Sequence, residues 1–161
     1  MDERIQKAIS LRKAGEYDQS RALLITVADI NGLKAEAFLN IAWSYDNQGD
    51  EAKAVEFYVA ALNAGLQDEN KFEALFGLAC TYRCLGNYAD SKQIFEQVMS
   101  EYPHATEVIP FYALCLHNLG EHERAMSVML ELVAKYPPTA SIGRYARALN
   151  LYSSCPDKIW P

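Results

Sequence analysis

Four glycines, Gly15, Gly49, Gly86 and Gly120, recur at steps of 34, 37 and 34 residues. Each lies between two helix-like runs, in LRKAGEYDQS, YDNQGDEAKA, YRCLGNYADS and LHNLGEHERA. A period of this length is the mark of an array whose unit is one small piece of supersecondary structure. Such a unit cannot bury its apolar face alone, so neighbouring units must stack. Stacked repeats build extended binding surfaces more readily than enclosed active sites.

The runs on either side of each glycine carry apolar residues at helical spacing. Ile5, Ala8, Ile9 and Leu11 precede Gly15, and Tyr17, Leu23, Leu24 and Val27 follow it. Phe38, Ile41, Ala42 and Tyr45 form one stripe of a helix expected over 35–47, answered past Gly49 by Ala54, Val55, Tyr58, Ala61 and Leu62. Intervals of three and four residues put such side chains on one helical face. The pattern returns around Gly86 (Leu75, Leu78, Ala79, Tyr82; Tyr88, Ile94, Phe95, Val98) and Gly120 (Ile109, Tyr112, Ala113, Leu116; Ala125, Val128, Met129, Leu132, Val133). A last helix is expected over 140–153, with Thr139 as its N-cap. Each glycine can take the positive φ that ends one helix and turns the chain back. Pro103 and Pro137, also 34 apart, close two of the units. The longer step from Gly49 to Gly86 predicts an enlarged connection within 65–70, where Asp68 and Glu69 read as solvated loop residues. Another irregular stretch is expected at 28–32.

Composition narrows the function. Half of the residues are hydrophobic and 22% are charged, which suits a helical core and argues against disorder. The net charge of −6 repels phosphate backbones, and Arg12–Lys13 is too short to be a basic patch, so no nucleic-acid partner is expected. No apolar run is long enough to span a bilayer, so no membrane partner is expected. MDERIQKAIS lacks the apolar segment of a secretory signal. With four cysteines lying mostly inside helical patterns, the expected setting is a reducing cytoplasm.

The aligned columns resemble the tetratricopeptide repeat family. In that family each repeat is an antiparallel pair of helices, A and B, with small and large residues in fixed order. Phe38, Ile41, Ala42, Tyr45, Gly49, Ala54, Tyr58 and Ala61 match it well. So do Leu75, Leu78, Ala79, Tyr82, Gly86, Tyr88, Ser91, Phe95 and Pro103. The fourth set is Ile109, Tyr112, Ala113, Leu116, Gly120, Ala125, Met129 and Pro137. The first repeat keeps Ala8, Leu11, Gly15, Tyr17, Ser20 and Leu24 but has Arg4 and Lys7 where apolar residues are usual, as a solvent-facing cap would. The resemblance implies an all-α, right-handed α-solenoid of about four helix pairs plus a C-terminal capping helix. It would be a single domain over 1–161, with repeats at 1–34, 35–70, 71–105 and 106–138 and the cap at 139–153.

It also implies a function: a non-catalytic interaction module whose concave face, lined by the A helices, binds a peptide or helix of a partner protein. Ala42, Ala79 and Ala113 would be packing residues. The groove row would comprise Ile9 and Arg12, then Leu39, Trp43 and Asn47, then Phe76, Cys80 and Arg83, then Pro110, Leu114 and His117, with Ile5 leading it. Trp43 and Phe76 would be the main anchors, because aromatic side chains dominate interface energetics. The row is too apolar for the family's carboxylate clamp. The opposing reading is that these side chains are buried between repeats, and the alternative function is a homo-oligomer built on the same surface. Glu36, Glu73 and Glu107 would favour the N-termini of three A helices.

Chemistry has little to stand on. Cys80 and Cys84 share a helical face, but zinc needs more ligands than two thiolates, and a metal- or redox-responsive role is the weakest reading. His104, His117 and His122 accompany no nucleophile, and no phosphate loop, serine elbow or HExxH motif occurs. No cofactor, metal or catalytic residue is expected. Trp160 is expected to tuck against the last helix.

Overall fold

The computed structural model describes residues 2–30 and 32–159; the expectation for Trp160 lies outside them. The described residues form helices joined by turns, without strands. Two compact units make up the chain, Met1–Ile94 and Phe95–Pro161. The helices are α1 (Glu3–Lys13), α2 (Tyr17–Ala28), α3 (Lys34–Gln48), α4 (Glu51–Asn63), α5 (Asp68–Cys84), α6 (Tyr88–Glu101), α7 (Val108–Asn118), α8 (His122–Lys135), α9 (Ala140–Gly143) and α10 (Ala146–Ser153). The boundary between the units falls inside α6.

The turns follow from the glycine ladder. Gly49 ends α3 with φ of 82°, and its N–H donates to the carbonyls of Asp46 and Tyr45. That left-handed residue is the usual helix stop. Asp50 then caps α4 by accepting from the Lys53 N–H at 3.3 Å. Thr139 caps α9 as expected, accepting from the Ile142 N–H at 3.3 Å.

In the first unit α1 packs on α2, α2 on α3, α3 on α4, and α4 on α5. Ile5, Ala8, Leu24, Val27, Ala37 and Ile41 form one core cluster. Leu39, Ala42, Ala54, Tyr58, Ala61, Leu66, Ala74 and Leu78 form the next. Small residues meet in register between paired helices. Ser20 on α2 donates to the Ala8 carbonyl of α1 at 2.8 Å. Two periods later Ser91 on α6 donates to the Ala79 carbonyl of α5, also at 2.8 Å. Arg21 is buried as well, donating to Ser44 Oγ at 3.2 Å, pairing with Asp18 and lying over the Tyr45 ring. In the second unit α7 packs on α8 and α8 on α10. Its interior holds Phe95, Val98, Val108, Tyr112, Cys115 and Leu116. The Tyr112 hydroxyl donates to Glu96 at 2.8 Å, and burial with that bond raises its pKa.

Three expectations need correction. The extra residues between Gly49 and Gly86 lengthen a helix rather than a loop: α5 runs 17 residues from Asp68. Asp68 and Glu69 therefore begin a helix, where their charge suits the amide end, and Glu73 sits beyond its first turn. The C-terminal helix over 140–153 is broken, with Arg144 and Tyr145 separating α9 from α10. Gly143 lies at this break against Pro137, where an added Cβ would stand 3.2 Å from the proline Cγ.

Candidate functional site

The row expected to line a groove divides by burial. Leu39 and Ile5 are 0% exposed and belong to the core. Both are corrections: Leu39 packs with Ala74 and Leu78 of α5 and Ile5 with Leu24 and Val27 of α2, so neither has surface for a partner. Ile9, Trp43, Phe76, Cys80, Arg83 and Pro110 are half-buried. Arg12 is half-buried too, while Asn47, Leu114 and His117 are exposed.

In the first unit, Arg12, Trp43 and Asn47 come together. Arg12 on α1 donates from Nη1 to Asn47 Oδ1 on α3 at 2.9 Å. Its guanidinium carbon lies 5.3 Å from the centroid of the Trp43 ring. Its Nε is buried and makes no hydrogen bond among the described residues. Desolvation lowers the guanidinium pKa from its usual value, yet arginine stays charged at neutral pH. In these contacts the cation meets an indole face and a neutral amide, not a carboxylate. Phe76 packs on Phe72 with ring centroids 5.8 Å apart. Burial pushes the Cys80 thiol up to about 12, with Arg83 opposing the rise.

A polar network braces α3, α4 and α5 and was not anticipated. The Tyr58 hydroxyl donates to Asp46 Oδ2 at 2.5 Å. Thr81 Oγ1 lies 3.2 Å from Asp46 Oδ1 and donates to the Gly77 carbonyl at 2.8 Å. Burial raises the Asp46 pKa, opposed by the bonds from Tyr58 and Thr81, and burial also raises that of Tyr58. The signal was in the repeat spacing. Steps of 34, 37 and 34 from Arg12 reach Asp46, Arg83 and His117, so Asp46 is the in-register residue and Asn47 stands one position outside the column.

In the second unit an open groove of about 690 Å³ lies along α7 and α8. Pro110, Ala113, Leu114 and His117 line it from α7, and His122, Ala125, Met126 and Met129 from α8. Leu114 is 48% and Met126 53% exposed. His117 and His122 face each other across the turn, with their Nδ1 atoms 3.1 Å apart. Among the described residues no group of three or more His, Cys, Asp or Glu is arranged to hold a metal, and no helix is long and apolar enough to cross a membrane.

A family model described as Tetratrico peptide repeat matches residues 34–155. Over 97 residues, 60% of this chain, the sequence is 32% identical to Protein CTR9 homolog of Arabidopsis thaliana. The matched stretch spans only 9% of that protein's length. Among solved structures, YrrB, a TPR protein with an unusual peptide-binding site, superposes with a TM-score of 0.72 at 18% identity, covering 95% of this chain and 80% of that one. MamA (AMB-1) gives a TM-score of 0.68 at 21% identity, covering 95% and 85%. At these identities the likeness is one of fold.

Proposed function

The chain belongs to the tetratricopeptide repeat family, and on that premise we propose that it is a non-catalytic module that binds a segment of a partner protein along its A helices. The observation that carries this reading is the Arg12–Trp43–Asn47 cluster. Three side chains from two helices are locked together at the surface, around a cation that no carboxylate neutralises in those contacts. A preformed site of this kind avoids much of the ordering cost of binding. Trp43 within it and Phe76 on α5 are half-buried aromatic anchors, and Ile9, Cys80 and Arg83 complete the face in the first unit. Pro110, Leu114 and His117 supply the corresponding positions in the second. The likeness in fold to YrrB, a TPR protein with an unusual peptide-binding site, supports a peptide as the kind of ligand.

The test is crosslinking of the chain in its native host, repeated with Trp43→Ala and Phe76→Ala. Recovery of partners should fall with both variants while the helical circular dichroism is kept. Unchanged recovery would remove the groove reading. The exposed Leu114 and Met126 also suit the second reading, self-association. A molecular mass by light scattering that stays monomeric as concentration rises would eliminate it.

A further inference from the structure

We infer that the groove along α7 and α8 is a socket for an amphipathic helix of another protein, one bearing a small and a large apolar residue four apart and a carboxylate three residues further on. The inference rests on the chain being an interaction module, and it assigns this groove its own occupant.

The occupant is specified by an interface already present within the chain. A shift of 71 residues, two repeat steps, carries Leu39, Ala42, Ala54 and Tyr58 onto Pro110, Ala113, Ala125 and Met129. The first four form one core cluster with Ala74 and Leu78 of α5. The last four line the groove. The same shift carries Trp43 and Val55, which pack against that cluster, onto the exposed Leu114 and Met126. The columns that receive α5 in the first unit thus line an open apolar groove in the second. Helix α10 packs on α8, with Ala146 and Asn150 beside Glu131, Ala134 and Lys135, residues that follow the groove-lining part of α8 in sequence.

The pattern of the occupant follows from α5, which presents Ala74, Leu78 and Thr81 to its socket. A second copy does not fit through α1: the shift that takes Ala74 and Leu78 back to α1 finds Glu3 and Lys7, both exposed. Seating them would bury two charges against Ala113 and Met129. The polar end of the socket has changed from carboxylates to imidazoles. Asp46 and Glu51 become His117 and His122 under the same shift. Where Asp46 lies 3.2 Å from the Thr81 hydroxyl, the paired imidazoles sit with Nδ1 atoms 3.1 Å apart. One Nδ1–H must donate to the other ring, whose own proton then sits on Nε2. The pair thus offers one N–H donor at this end of the groove, and a carboxylate on the seated helix would meet it with a charge-assisted bond.

The probe is a 17-residue peptide with the sequence of α5, carrying Thr81→Glu, Gly77→Ala, Cys80→Ser and Cys84→Ser. Gly77→Ala is tolerated because the flexible Met129 replaces the Tyr58 ring. Binding to the full chain is read from methionine methyl NMR. The Met126 and Met129 methyls should shift saturably below about 1 mM peptide, and Leu114→Asp, at an exposed position, should abolish the shifts with the fold intact by circular dichroism. A peptide with Thr81→Lys should bind about tenfold more weakly than the Thr81→Glu peptide, the loss of one charge-assisted bond. Silent Met126 and Met129 methyls overturn the inference, as do shifts that survive Leu114→Asp. Equal affinity of the Glu and Lys peptides overturns the carboxylate. A peptide that perturbs Trp43 and leaves these methyls unmoved overturns this site while leaving the proposed function standing.

Discussion

The hydroxyl of Tyr58 on α4 reaches Asp46 on α3 at 2.5 Å, and its ring lies flat enough against α5 that only Gly77 fits beneath it. A Cβ built at Gly77 would stand 2.6 Å from both Cζ and Oη of Tyr58. The ring cannot swing aside without leaving Asp46. Gly77→Ala should therefore destabilise the fold by about 1–3 kcal/mol from overpacking, although alanine is the better helix former by about 1 kcal/mol. Urea denaturation decides the sign, and a stabilised variant would show that the ring moves freely.

Asp46 gives a pH signature. Burial raises its pKa in the folded chain above the unfolded value. The folded state then holds the proton more tightly, so this group's contribution to stability falls as pH rises from the unfolded pKa through the folded one. Its charge-burial penalty is absent below that window and complete above it. Asp46→Asn removes the titration, so its stability relative to the parent should improve steadily as pH rises from about 4, near the ordinary carboxylate value. Parallel stability–pH curves for the two proteins would show that Asp46 titrates normally.

How much of this was legible follows from which interactions respect the period. The columns Ala8, Ala42, Ala79, Ala113 and Ser20, Ala54, Ser91, Ala125 repeat at 34, 37 and 34, and the structure buries every one of them. The helix pairs and their turns were therefore readable. Interactions peculiar to one repeat were not. Gly77 is needed only where Tyr58 stands. Arg21 is buried because Asp18, Ser44 and Tyr45 happen to surround it. Leu39 and Leu114 both occupy face-forming positions of A helices, yet one is covered by α5 and the other is open, and that difference lies in what stacks next. The break before α10 was hidden because the apolar spacing over 140–153 continues across Gly143, which weakens a helix without erasing its pattern.

The serine column sets up a graded test. Ser91 donates to the Ala79 carbonyl, and alanine fills its column in the second and fourth repeats. Ser91→Ala should cost about 1 kcal/mol or less, the net worth of one hydrogen bond. Ser91→Leu forces extra methylenes between α5 and α6 and should cost about 3 kcal/mol or more. Chemical denaturation of both variants checks the ratio. Similar losses would mean that the hydrogen bond, not close approach, governs the position.

The cysteines should separate by reactivity. Cys84 is exposed, whereas Cys80 is half-buried with its thiol pushed up to about 12. The thiolate is the nucleophile, and at pH 8 about one Cys80 in ten thousand carries it at that pKa. Iodoacetamide at pH 8 should label Cys84 well before Cys80. Peptide mapping by mass spectrometry reads the order, and equal labelling would show that the Cys80 environment opens in solution.

Arg12 ties the proposed partner face to its scaffold, and its pairing with Asn47 can be isolated by a double-mutant cycle. The guanidinium is half-buried and donates to Asn47 at 2.9 Å while stacking over Trp43. Asn47→Ala removes the acceptor and leaves the stack. Arg12→Ala removes both, and the double variant isolates the coupling. A partly exposed contact of this kind should couple by about 0.5–1 kcal/mol in thermal or urea unfolding. Arg12→Lys should behave more like Arg12→Ala than like the parent, because an ammonium lacks the planar face that stacks on indole and the fixed fork that reaches the amide. A coupling of zero, or a lysine variant as stable as the parent, would show that the cluster is not held together in advance, and the preformed character of the face would go with it.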